Sequence, residues 1–89
     1  MKIKNEFVVH ELAGEYIVVP VGSEADRIHG IIKLNSTGYF LWCLLLNNIE
    51  NVSFLENALA SNYSIDTGKA KNDVAKFLNT IDKYGCLEK

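Results

Sequence analysis

The side chains that most often perform catalysis or bind metals are few and scattered in this sequence. The histidines are His10 and His29, the cysteines are Cys43 and Cys86, and eleven carboxylates are spread along the chain. None of them stands at the spacing of a nucleophile and its base, and no C-x-x-C pair or histidine cluster of a zinc site is present. We therefore expect no enzyme activity, no metal and no cofactor, and two unpaired thiols with Cys43 buried.

The charge balance argues against a nucleic-acid partner. Nine Lys and Arg and eleven Asp and Glu give a net charge of −2, and both signs are scattered over the 89 residues. A duplex-binding domain needs a basic stripe, because neutralising phosphates supplies most of its non-specific affinity. Residues 1–6 lack the apolar region of a secretory signal, and the apolar run 39–46 is too short to span a bilayer. We expect one cytoplasmic domain covering residues 1–89, with no membrane partner.

Three β-strands are predicted in the first part of the chain. Residues 7–12 and 15–20 are rich in Val, Ile and aromatic residues, and Ala13 and Gly14 between them form a link of the length that closes a tight hairpin. Residues 27–34 form the third predicted strand.

The predicted strands differ in how their apolar residues alternate. In the third strand Ile28, Ile32 and Leu34 fall on one face, which we expect to point inward. The first two strands carry apolar residues on both faces. We expect the second face of these strands to be covered either by another part of the chain or by a partner. A homodimer is one of these alternatives.

The first predicted helix is the most apolar segment of the chain. Asn35 and Ser36 are suited to cap its first turn, because their side-chain oxygens accept from unpaired backbone N–H groups. From Tyr39 to Leu46 every residue is apolar. A helix that is hydrophobic all round belongs inside a core, and Trp42 is expected there rather than on a ligand.

Two further helices are predicted. Ser53 and Glu56 fit a capping box for a short helix that ends near Asn62. Asp66 is expected to cap a long helix that ends at Gly85. The apolar side of the short helix consists of Phe54, Leu55, Ala58 and Leu59, and that of the long helix of Ala70, Val74, Phe77, Leu78 and Ile81. The order predicts an α+β, winged helix-turn-helix-like domain, with a three-stranded antiparallel sheet at the N-terminus followed by three helices.

Three segments together resemble the PqqD-like family. Residues 34–42, LNSTGYFLW, resemble its L-N-x-T-G-x-x-L/I-W signature, and residues 28–32 match its glycine-containing strand. Residues 73–78 with Gly85 and Leu87 behind them resemble its D-V-x-x-F-L ending. This resemblance covers most of the chain and implies the same α+β architecture.

The resemblance implies a precursor-peptide recognition element that binds a leader peptide and does no chemistry itself. In the family the leader adds as a β-strand along the third strand, in a groove bordered by the last helix, and is delivered to a modifying enzyme such as a radical S-adenosylmethionine protein. On the strand, the implied peptide-binding residues are Ile28, His29, Gly30, Ile31, Ile32 and Lys33. On the last helix, we expect the peptide-binding residues on one flank of the apolar stripe, at Lys71, Ala75, Leu78 and Asp82.

Other interpretations stay open at this point. Gly30 is compatible with a bulge as well as with a close approach of a second backbone. The chosen helix flank is equally compatible with a solvated surface. The principal alternative function is a winged-helix DNA-binding regulator, in which the long helix would enter the major groove.

Overall fold

The protein is described by a computed structural model that covers residues 1–22 and 32–88. In this part of the chain, strands and helices follow one another as predicted, with an additional short strand near each end. Their bounds are β1 Lys2–Ile3, β2 Phe7–Leu12, β3 Glu15–Pro20, β4 Ile32–Leu34, α1 Ser36–Leu44, α2 Val52–Tyr63, α3 Thr67–Lys83 and β5 Leu87–Glu88.

The hairpin of β2 and β3 has the predicted bounds and turn. Leu12 pairs with Glu15, so Ala13 and Gly14 alone make the connection. Both have positive φ, 52° and 81°. This is the combination that a two-residue type I′ turn requires, because its twist matches that of the strands it joins.

β4 pairs with β3 in an antiparallel manner and lies at the edge of the sheet. The strand order is β2-β3-β4, and Val18 pairs with Ile32 while Tyr16 pairs with Leu34. Ile32 and Leu34 are buried and Lys33 between them is exposed, which confirms the predicted alternation here. The rest of the predicted third strand, residues 27–31, lies outside the described residues.

α1 begins where the sequence predicts and packs one face into the core. Asn35 is its N-cap, and Leu41, Trp42 and Leu45 are almost fully buried. The expectation of burial all round was wrong. Cys43 is only half-buried, because a domain of this size is too small to enclose a helix on every side.

Three other apolar residues, two on α1 and one just after it, are also accessible to solvent. Tyr39 and Phe40 are half-buried, and Leu46 is 52% exposed.

α2 begins two residues earlier than the predicted capping box. Asn51 is the N-cap, and its side-chain oxygen accepts from the Ser53 backbone N–H at 3.0 Å and from the Ser53 hydroxyl at 2.7 Å. Leu55 and Leu59 form the buried stripe. Phe54, predicted to be part of it, is 50% exposed, because it lies about 100° round the helix from Leu55.

α3 follows the predicted pattern closely. Asp66 caps its first turn by accepting from the Lys69 backbone N–H at 2.8 Å. Gly85, at φ 75°, ends it: the Gly85 N–H donates to the carbonyl oxygen of Asp82, and the Cys86 N–H donates to that of Ile81. This is a Schellman motif, which satisfies carbonyl groups that the helix leaves without partners. The buried positions are Ala70, Val74, Phe77 and Ile81, whereas Leu78 is half-buried.

A small sheet that the sequence did not predict joins β1 to β5. Ile3 pairs with Leu87, its N–H donates to the Leu45 carbonyl at 2.9 Å, and the Lys4 N–H donates to the Cys86 carbonyl at 2.8 Å. Strands of two residues are too short to show any alternation, so the sequence carried no signal for them. The α+β class with a three-stranded N-terminal sheet and three helices is confirmed.

Candidate functional site

A cavity of about 890 Å³ lies between the sheet and α3. It is bordered by β4, the hairpin end of β3, the start of α1, the α2–α3 connection and one side of α3. Its lining residues are Gly14, Glu15, Lys33, Leu34, Asn35, Thr37, Gly38, Leu41, Tyr63, Ile65, Lys69, Asp73, Lys76, Phe77 and Thr80.

The floor of the cavity is apolar. Leu34, Leu41 and Phe77 come from the strand, from α1 and from α3, and each is at most 9% exposed. Because these side chains already belong to the core, their positions are held by packing on the far side. The floor therefore offers a preformed apolar surface to a ligand side chain.

One wall of the cavity is built by the start of α1. The Asn35 side-chain oxygen accepts from the Gly38 N–H at 2.8 Å and from the Thr37 hydroxyl at 3.0 Å. A Cβ at position 38 would stand 3.1 Å from this oxygen and 3.5 Å from Leu34. The conformation of this cap therefore favours glycine at 38, and the segment with the most specific sequence pattern forms the cavity wall.

The rim of the cavity carries charged side chains of both signs. Lys33 Nζ is 3.4 Å from a Glu15 carboxylate oxygen, and Lys69 Nζ is 3.3 Å from Asp73 Oδ2 one helical turn away. Lys76 is the third lysine of the lining. Since the two ion pairs are exposed, each contributes at most about 1 kcal/mol to stability.

The outer side of β4 is a free sheet edge beside this cavity. Among the described residues, no strand pairs with β4 on the side away from β3. An edge strand presents N–H and C=O groups without ladder partners, which makes it a template for a further strand. The cavity and the free edge together form a groove.

Of two aromatic pairs around α1, one contributes to the cavity and the other does not. Tyr63 lines the cavity, packs edge-to-face on Phe40 at a ring separation of 5.6 Å and donates its hydroxyl to the Ser36 carbonyl. Tyr39 stacks on Tyr16 at 4.1 Å and lies outside the cavity lining. A hydrogen bond with the side chain of Cys43 raises the pKa of Tyr39 above its usual value of 10.0.

The predicted peptide-binding residues on the strand are only partly described. Ile28, His29, Gly30 and Ile31 lie outside the described residues. Ile32 is buried against the core and pairs with Val18. Lys33 is exposed and lines the cavity.

The predicted residues on α3 lie away from the cavity. Of these, Leu78 is half-buried and the other three are exposed. The residues of α3 that line the cavity with exposed or half-buried side chains are Lys69, Asp73, Lys76 and Thr80, which we call the cavity flank. We call Lys71, Ala75, Leu78 and Asp82 the outer flank. The two flanks have the same spacing and are displaced by two positions, which is about 160° round the helix.

Helical periodicity identifies the core stripe of α3 and treats its two sides alike, so the sequence alone does not single out the cavity flank. Both flanks carry lysine and acidic residues, so composition does not separate them. The peptide-binding role of the outer flank stays a prediction. In residues 1–22 and 32–88, no three His, Cys, Asp or Glu side chains come close enough to hold a metal ion. No helix in that same part has the length and apolarity needed to cross a membrane.

The fold and the groove define a small α+β domain with a free sheet edge beside an apolar-floored cavity. The chain belongs to the PqqD family, described as coenzyme PQQ synthesis protein D, whose family model matches residues 15–87. No curated protein sequence matches the chain closely enough to count as a relative. A solved structure of TbiB1 in complex with the TbiA(beta) leader peptide is similar in fold: the TM-score is 0.74 at 22% sequence identity, over 99% of this chain and 95% of that one.

Proposed function

We propose that this protein binds the leader segment of a ribosomally made precursor peptide, in extended form, along the free edge of β4. The observation that carries the proposal is the groove, in which a strand edge that no other described strand pairs with lies beside a cavity of about 890 Å³ with an apolar floor. Membership of the PqqD family and the similarity to TbiB1, which was solved with a leader peptide, support the same function.

Each half of the groove supplies a different part of the binding free energy. The backbone of β4 offers hydrogen bonds that any peptide can accept or donate, and the cavity offers space for the side chains that point to α3. In an extended peptide, alternate side chains share a face and are about 6.6–6.8 Å apart. The groove can therefore combine general main-chain affinity with selection of side chains.

The residues proposed to contact the peptide come from both elements. On the strand side they are those of the predicted set, from Ile28 to Lys33. On the helix side we propose the cavity flank in the first place, because it shares the cavity with Lys33. The outer flank remains the rival assignment.

The role of the protein in the pathway follows from the resemblance. It would perform no chemistry itself and would present the bound peptide to a modifying enzyme, which we predict to be a radical S-adenosylmethionine protein, in the cytoplasm. The product of that pathway is pyrroloquinoline quinone or another modified peptide. A homodimer through the exposed apolar face of the hairpin, where Val8 and Leu12 are 37% and 60% exposed, stays a prediction.

Titration with synthetic leader peptides tests the proposal. The peptides are those encoded by short reading frames beside the gene, and calorimetry should give a Kd around micromolar or tighter, about −8 kcal/mol. A DNA duplex titrated under the same conditions should show no binding that falls steeply with salt. Tight, salt-dependent duplex binding without peptide binding would favour the DNA-binding alternative instead.

Proline substitutions test strand addition at β4 itself. Proline removes one backbone donor, and the N–H groups of Ile32 and Lys33 point to opposite sides of the strand. Of Ile32→Pro and Lys33→Pro, one should weaken the pairing with β3, whereas the other should keep the fold and lose peptide binding. The matched controls Ile32→Ala and Lys33→Ala shorten the same side chains without removing the donor. If each folded proline variant binds as well as its alanine control, the peptide does not add to β4.

A further inference from the structure

The lysines of the cavity differ in whether a carboxylate already neutralises them. Lys33 is paired with Glu15 and Lys69 with Asp73, at 3.4 and 3.3 Å. In the part of the chain that the structure describes, no carboxylate lies within ion-pair distance of Lys76. Among the described charged residues of the cavity, Lys76 is therefore the one whose charge no carboxylate neutralises, and we call it the uncompensated charge.

The sequence around Lys76 explains this. On a helix, side chains interact with those three and four positions away. The neighbours of Lys76 at these distances are Asn72, Asp73, Asn79 and Thr80. Three of them are neutral, and the single acid, Asp73, is held by Lys69.

The uncompensated charge is positive although the chain as a whole is negative. The net charge of the protein is −2, so a positive site in the groove is not a by-product of a basic surface. Lys76 is adjacent in sequence to Phe77, which contributes to the apolar floor. A ligand side chain on the floor and another at Lys76 would thus be close neighbours on one strand face.

We propose that Lys76 selects for an acidic side chain in the bound peptide. The ligand would then be a peptide that has an apolar residue for the cavity floor and an Asp or Glu two or four positions away from that residue. This inference rests on the proposed function, because it assumes that an extended peptide occupies the groove. Spacings of two and four keep both side chains on the same face of a strand. Lys33 and Lys69 would contribute less, since each already has a carboxylate partner.

A peptide display selection tests this without knowledge of the natural leader. A library of random peptides, about 12 residues long so that an extended peptide can follow the groove, is selected against the parent protein, Lys76→Glu and Lys71→Glu. Lys71→Glu makes the same charge change on the outer flank. Binders of the parent and of Lys71→Glu should be enriched in Asp or Glu at a fixed distance from an apolar residue. Binders of Lys76→Glu should carry Lys or Arg at that position.

Titration of one consensus peptide from this selection then measures how much the contact between Lys76 and the acidic peptide residue contributes to affinity. Lys76→Ala should weaken binding about three- to fivefold, the effect of a partly exposed ion pair, and Lys76→Glu about tenfold. Changing the acidic peptide residue to Lys should restore most of the affinity for Lys76→Glu and reduce that for the parent. Circular dichroism of all variants should coincide with that of the parent, since Lys76 is exposed.

The outcomes separate this inference from the proposed function. If peptides are enriched and are lost when the cavity is filled by Thr80→Trp, but show no acidic preference that Lys76→Glu reverses, the role of Lys76 is overturned and the groove function stands. If no peptide is enriched against any folded variant, both are overturned.

Discussion

The cavity flank and the outer flank of α3 are alike in sequence and different in surroundings. Each contains lysine and aspartate, and the positions of the two flanks have the same helical spacing, on either side of one buried stripe. Only the cavity flank shares a cavity with β4 and the start of α1. The comparison teaches that the elements packed beside a helix decide which of its sides lines a cavity, since the helix's own residues leave two equivalent choices.

The largest effect is expected from the core that supports both flanks. Trp42→Ala should lower the free energy of unfolding by roughly 3–5 kcal/mol, because the cavity left by an indole in a small core cannot be refilled. Trp42 is 2% exposed. Denaturant unfolding measures the change. Leu46→Ala, at a residue that is 52% exposed, is the control and should change stability far less. Coincident melting curves of Trp42→Ala and the parent would mean that α1 is not packed as described.

A bulky side chain introduced on each flank in turn tests directly which flank contacts the peptide. Thr80→Trp places an indole in the cavity and should weaken leader binding tenfold or more, about 1.4 kcal/mol. The Thr80 hydroxyl donates to the Lys76 carbonyl of its own helix and has no other partner among the described residues, so its loss should not unfold the protein. Ala75→Trp makes a comparable addition on the exposed outer flank. If Ala75→Trp abolishes binding and Thr80→Trp does not, the outer flank is the peptide-binding side.

Two helix caps extend the comparison to the cavity wall. Asn35→Ala and Asn51→Ala each remove an N-cap, which should cost about 1 kcal/mol of stability in both cases. Only Asn35 lines the cavity. Peptide titration at a temperature where both variants are folded should therefore show a loss of affinity for Asn35→Ala alone. Equal affinities would mean that the wall built by Asn35 does not contact the peptide.

The smallest effect is expected from the ion pair on the cavity flank. Asp73→Asn removes the partner of Lys69 and should reduce stability by no more than about 0.5 kcal/mol. At 1 M salt the Debye length falls to about 3 Å, so the difference from the parent should nearly vanish in denaturant unfolding measured there. A larger and salt-independent loss would show that Asp73 has a structural role beyond this pair.

Sequence patterns sufficed for the elements whose signals are local. The two-residue turn at Ala13 and Gly14, the cap at Asp66 and the end of α3 at Gly85 are each fixed by the conformational preferences of a few residues, and all three predictions are confirmed. The core stripe of α3 was predictable for a related reason, since a regular helix repeats its contacts every 3.6 residues.

The sequence decides less where local signals are equally strong or absent. Asn51 and Ser53 are both good caps, and the first of them begins α2. An uncharged helix such as α1 gives no indication of which side faces solvent, so the exposure of Cys43 was missed. The side of α3 that lines the cavity depends on where β4 lies, which no local pattern encodes, and the peptide-binding role of the outer flank stays a prediction. These features are decided by tertiary packing.

The small sheet of β1 and β5 has a consequence for the order in which the protein folds. It joins residues from the two ends of the described chain, Lys2 to Glu88. Closing so long a loop is entropically unfavourable until the intervening elements are in place, so we expect this contact to form late. It is held by more than its own pairing, because the Ile3 N–H donates to the Leu45 carbonyl and Ile3, Cys86 and Leu87 are at most 7% exposed. We therefore expect the two ends to close last and, once closed, to exchange their backbone amide hydrogens as slowly as the core to which they belong.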